Sequence, residues 1–255
     1  MTASQRPPGE LAALCIHGDD RVAFLQGQLS CDVRLLEQQA VIDGAWLNPS
    51  GRVITVVQLL STGSAIGLFL PSELIDGVAE RLTKFRFRSK VEIDAAIDWY
   101  GGFGIASPLA ERPLNGSPTP ETFGDAPASR HAEWRLARLR AGIPWIGTET
   151  TEQFTAHQLN LDRLGAVSFT KGCYSGQEIV ARTEHRGKVK RRLAHFASDS
   201  DAIAIGDAIT TATGTKVGTV VDLAPTDEGL ELLGLLPIDN ADSLICADIA
   251  LQRVA

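Results

Sequence analysis

Residues 169–182 read Phe169-Thr170-Lys171-Gly172-Cys173-Tyr174-Ser175-Gly176-Gln177-Glu178-Ile179-Val180-Ala181-Arg182, a cysteine between two glycines with a lysine two positions ahead of it. Glycine reaches backbone conformations closed to other residues, so such a loop can turn tightly or let a ligand approach its backbone. From about Gly176, Ile179 and Val180 supply the apolar face of a predicted helix. A thiol just ahead of a helix N-terminus faces unpaired N–H groups and the positive end of the helix dipole. A nearby Lys171 adds to this, and both effects favour the thiolate. Cys173 is therefore the candidate for a reactive or metal-contacting sulfur. The alternative is a small buried cysteine in a tight turn, because perturbed cysteines mark functional sites only statistically.

Directly after this segment, residues 182–192 contain Arg182, Arg186, Lys188, Lys190, Arg191 and Arg192 in a chain whose net charge is −7. Such a patch can attract phosphates or a ligand with several carboxylates. It can equally be a solvated turn and edge strand kept from aggregating by its charge. Trp134 and Trp145 could stack on a flat heterocycle, although core packing is the default for a large aromatic. The histidines His17, His131, His157, His185 and His195 are dispersed, and Cys15, Cys31, Cys173 and Cys246 form no CxxC, so no metal site is read from spacing. Gly101-Gly102-Phe103-Gly104 lacks the spacing of a dinucleotide loop.

The elements that must hold these groups follow from turn signals and apolar periods. Residues 11–16 predict a strand, and Asp19 and Asp20 can cap a helix starting near Arg21. Asn48-Pro49-Ser50-Gly51 separates residues 41–47 from 52–60 as a hairpin, and residues 65–70 and 91–95 predict further strands around a helix reaching Phe85. The fold class is α+β, with domains expected at 10–106, a Pro-rich linker at 107–130, a second α+β segment carrying the cysteine loop at 131–192, and a small β-barrel at 193–255. Its strands are expected at 203–209, 216–223, 230–235 and 245–251, and residues 1–9 as a loose leader.

The chain has 255 residues, 44% of them apolar and 22% charged, enough for a substantial core. No apolar run approaches the roughly 20 residues of a membrane span, and no export signal opens the chain. A cytoplasmic monomer with no membrane association is expected, its cysteines reduced. The acidic balance argues against general coating of nucleic acid.

The run from Lys171 to Glu178, continuing through Val180-Ala181-Arg182 and Arg186-Gly187, closely resembles the signature of the YgfZ-type folate-binding family, within the superfamily of the glycine-cleavage T-protein, an aminomethyltransferase. Phe24-Leu25-Gln26-Gly27-Gln28-Leu29 with Asp32-Val33, and Ala141-Gly142-Ile143-Pro144 with Phe154 and Gln158-Leu159-Asn160-Leu161, support the resemblance over most of the chain. It implies three subdomains around a central opening, tetrahydrofolate as cofactor, and a role in making or repairing iron–sulfur enzymes, including those that thiolate tRNA. Cys173 then takes the place of the family's cysteine, with a transient iron–sulfur cluster as its cargo, and Trp134 that of a folate-associated tryptophan. Lys171 would favour the thiolate, and Gly172 and Gly176 would shape the loop. Gln177 and Glu178 would bond the ligand or fix the loop, Tyr174 would line the cofactor side, and Arg182 and its successors would supply positive potential. The implied partners are folate and iron–sulfur client enzymes, with direct tRNA contact left open. Leu11 stands where a second folate-associated tryptophan is found in related proteins. The stretch Gly51-Arg52-Val53-Ile54-Thr55-Val56-Val57 holds no carboxylate where the T-protein has its catalytic aspartate. A tetrahydrofolate-dependent transferase is accordingly the second reading, a tRNA-binding module without activity the third, and a classical enzyme is not expected.

Overall fold

The computed structural model describes residues 9–96, 99–239 and 243–254, so that, Gly9 apart, the expected leader lies outside the described residues. Strands β1 (Leu11–His17), β2 (Val41–Leu47), β3 (Val53–Ser61), β4 (Ala65–Pro71) and β5 (Glu92–Ala96) form an antiparallel sheet in the order β2-β3-β4-β1-β5. Both faces are covered, which is why these strands read as apolar runs rather than alternating ones. Ala12, Leu14 and Ile16 join a core with Phe24 and Leu25 of helix α1 (Arg21–Gln28) and Ile75, Val78 and Leu82 of helix α2 (Ile75–Phe85). Leu11 and Ala13 face the other way, into a core shared with the rest of the molecule. Asp20 precedes α1 as expected but caps nothing; its carboxylate accepts a hydrogen bond from the Lys90 N–H at 2.7 Å.

The stretch expected as a linker is folded. Strands β6 (Tyr100–Gly102), β7 (Pro108–Arg112) and β8 (Glu121–Gly124) form a sheet in the order β6-β8-β7. Its prolines sit where they cost no ladder bond: Pro108 opens the edge strand β7, while Pro113, Pro118 and Pro120 lie between strands. Glu121 and Phe123 are fully buried, packed under helix α3 (His131–Arg140). Residues 141–176 run without regular helix or strand beneath the first sheet, leading to helix α4 (Gln177–Arg186).

The C-terminal part closes into a barrel ordered β10-β11-β12-β9-β14-β13, as the short β-rich pieces predict. It comprises β9 (Arg191–Ser198), β10 (Ala208–Thr211), β11 (Lys216–Thr226), β12 (Gly229–Pro237), β13 (Leu244–Cys246) and β14 (Ile249–Arg253). Two expectations need correction. Residues 203–207 precede rather than form β10, and the single strand expected at 245–251 is a hairpin. Its turn places Ala247 and Asp248 at φ 48° and 64°; aspartate tolerates that region, whereas nothing in an alanine announces it.

Candidate functional site

The cysteine loop is held from both sides. Lys171 and Tyr174 are buried, while Gly172 and Cys173 between them are exposed, so the thiol stands at the tip of an anchored bend. Cys15, Cys31 and Cys246 are all buried, and burial raises their thiol pKa values, that of Cys31 to about 12. Cys173 is the cysteine that solvent reaches.

Lys171 does something other than expected. Its Nζ donates to the carbonyl oxygens of Gln26 and Leu29 at 2.6 Å and of Cys31 at 2.8 Å. An ammonium has three N–H donors, and all three are taken, so none is left to pair with a Cys173 thiolate. The lysine is a tether between the cysteine loop and the end of α1, and desolvation pushes its pKa down to about 8. Ser30 completes the clasp: its hydroxyl donates to the Ala166 carbonyl and accepts from the Ala45 N–H, and the Ser168 N–H donates to the Ser30 carbonyl. Tyr174 packs with its ring 4.8 Å from the lysine nitrogen, and burial raises its phenol pKa to about 12.

Gly176 adopts φ 76° as the residue before α4. A Cβ there would lie 2.6 Å from the Asn48 carbonyl oxygen and 3.2 Å from the Gly51 Cα, so the glycine lets the β2–β3 turn press against the start of the helix. Gly51, at φ 70°, makes the reciprocal approach, since its Cβ would meet Ile179 at 2.6 Å. Gly172 has open space around it and no left-handed backbone, so the loop's shape does not require it. The Gln177 side chain accepts from the Tyr174 N–H at 3.3 Å and fixes the loop; Glu178 and Arg182 point into solvent from α4.

Trp134 is a correction. It is 0% exposed, and its Nε1 donates to Glu121 at 2.8 Å, so no face remains for a ligand. Glu121 also receives Arg138 at 2.7 Å and Arg112, which reaches on to Asp43. Leu11 is buried as well. Trp145 is the tryptophan that borders a cleft, of about 430 Å³, together with Glu73, Arg135, Gly147 and Thr150. Its Nε1 donates to Glu73 at 2.9 Å, and the Arg135 guanidinium lies 4.3 Å from its ring. Nη1 of Arg135 is buried without a partner among the described residues.

Within the basic run, Arg192 is structural, making a two-pronged pair with Asp162 at 2.8 and 2.9 Å. Ligand atoms of His157, Asp162 and Glu184 approach within 4.8 Å of one another, a grouping that spacing could not reveal. Both Asp162 oxygens already face Arg192, and His157 meets Glu184 at 3.1 Å, so the group is internally satisfied.

No family model matches the chain. A tRNA-modifying protein YgfZ of Colwellia psychrerythraea is 29% identical over 72% of this chain and 68% of its own length. One of Aliivibrio fischeri is 27% identical over 89% and 83%. A protein of Haemophilus influenzae described as uncharacterized is 31% identical over 94% of this chain and 92% of its own. The chain belongs to the YgfZ family. Its fold matches the crystal structure of glycine cleavage system aminomethyltransferase T from Bartonella henselae, with a TM-score of 0.72 over 96% of this chain and 83% of that one, at 16% identity. The expected α+β, T-protein-like architecture with a terminal barrel is thus the one observed. For a member of the YgfZ family, no described helix is long and apolar enough to cross a membrane.

Proposed function

We propose that this chain is a folate-binding accessory protein that supports the synthesis or repair of iron–sulfur enzymes, among them enzymes that modify tRNA. The observation that carries the reading is the Cys173 thiol, exposed at the tip of a loop tethered by Lys171 and Tyr174 just ahead of α4. The printed names of the relatives supply the link to tRNA modification. A single reachable thiol fills one coordination position of a cluster. With the other cysteines buried, the remaining ligands come from the client enzyme, which suits transient handling of a cluster as cargo rather than residence.

The cleft beside Trp145 is the place whose chemistry fits the pterin of tetrahydrofolate. The Glu73 carboxylate accepts from amino groups, the Arg135 guanidinium beside the indole brings positive charge toward an oxo group, and the indole provides an apolar wall. Its volume of about 430 Å³ is that of a small-molecule site. When bound, tetrahydrofolate supplies a one-carbon carrier and a reductant. Tetrahydrofolate titrated into the purified protein should quench tryptophan fluorescence to saturation at one equivalent, with Trp145→Phe weakening it and Trp134→Phe leaving the affinity unchanged. In cells lacking the protein, iron–sulfur-dependent tRNA modification should fall. Unchanged modification would refute the accessory role, and absence of saturable quenching would refute folate binding.

A further inference from the structure

We propose a second binding site, for a compact oligoanion, in the cleft between the β2–β3 hairpin, residues 155–158 and the connection from α4 to β9. It is independent of the roles given to Cys173 and Trp145. The cleft has a volume of about 430 Å³ and is lined by Arg52, Gln158, Thr183, Lys188, Lys190 and Arg191. Residues 52 and 188–191 lie far apart in sequence, so tertiary structure brings these cations together.

In a chain of net charge −7 carboxylates are plentiful, and several surface cations find them, as Arg34 does Asp32, Arg81 does Glu152 and Arg140 does Glu231. The cleft cations do not. Among the described residues no carboxylate lies within ion-pair distance of Lys188, Lys190 or Arg191, and Arg52 places one nitrogen on the Gln153 carbonyl oxygen at 2.6 Å. The Gln158 side-chain oxygen is taken by the Thr155 N–H, leaving its amide N–H groups as further donors. His157 also lines the cleft and meets the Glu184 carboxylate at 3.1 Å.

Four positive groups converging in a concavity repel one another and raise the local concentration of anions. Lysines act as point charges and arginines as planar forks toward phosphate or carboxylate. The ligand this recognises carries two or more neighbouring anionic groups on a small molecule, either a diphosphate or a set of carboxylates. A bounded cleft of this size does not provide the extended cationic track that a nucleic-acid backbone requires.

Calorimetric titration of the full chain at physiological ionic strength tests this with pyrophosphate in one arm and citrate in the other. At least one should bind at one equivalent. The double substitution Lys190→Ala/Arg191→Ala should weaken it about tenfold or more, on the scale of losing charge-assisted bonds. A control of equal charge change away from the cleft, Arg88→Ala/Lys216→Ala, should leave it unchanged. If neither probe saturates at millimolar concentration, or both doubles weaken binding equally, the proposal fails. Binding of a single-stranded RNA oligomer that Lys190→Ala/Arg191→Ala abolishes, with no binding of either small anion, would also overturn it.

Discussion

The ammonium of Lys171 meets three carbonyl oxygens, so its removal should be felt in stability before it is felt in chemistry. Lys171→Met keeps the chain length but strands buried acceptors, at a cost of roughly 1–3 kcal/mol or more. A urea midpoint within error of the parent would contradict the tether. Gly176→Ala meets both an unfavourable backbone and the Asn48 oxygen, and a loss of about 1–3 kcal/mol is expected in the same assay. These two residues also show what was readable. Gly176 is legible as a loop-shaping glycine because glycine reaches backbone conformations closed to other residues, and here it adopts φ 76°. The partners of Lys171 are not legible, because they lie 140 to 145 residues earlier in the chain. Proximity in sequence suggested Cys173 as the lysine's partner, whereas the fold aims its nitrogen inward.

Helix α3 is joined to the sheets by a buried charge network through Glu121, which faces Arg138, Arg112 and Trp134 at once. Glu121→Gln leaves two buried guanidinium groups short of an anion, and a destabilisation of about 3–5 kcal/mol is expected. The facing arginines hold the folded Glu121 pKa below its ordinary value of 4.5. Below that value the unfolded chain binds the more protons, so the network's contribution is complete above about pH 4.5 and is lost as the pH falls through the depressed folded value. Urea midpoints measured from pH 7 downward should fall more steeply in the parent than in Glu121→Gln; equal slopes would contradict this. The network explains why proline content points to a linker where the chain in fact folds into strands. The two strands there are short, and one of their two fully buried side chains is a carboxylate, Glu121, which hydropathy assigns to the surface. The hairpin, α2 and the barrel were legible because their apolar periods and turn residues agree.

At the scale of the molecule, the barrel docks on α3 and residue Trp145 through Asp222, whose two oxygens accept from Arg135 and from the Trp145 N–H at 2.8 Å each. Asp222→Ala should cost about 2–4 kcal/mol and speed amide exchange across the barrel strands. Unchanged exchange there would mean that apolar packing alone holds the barrel. Because Trp145 and Arg135 also border the proposed pterin cleft, that substitution should weaken tetrahydrofolate as well. The three parts of the molecule thus meet around one buried seam, while the thiol stands outside it on an anchored loop. The most direct test of that thiol is to supply Cys173→Ser in place of the parent chain to cells lacking the protein and measure iron–sulfur-dependent tRNA modification. The parent should restore it, and Cys173→Ser, folded and present at equal level, should not. Full restoration by the serine variant would contradict the account.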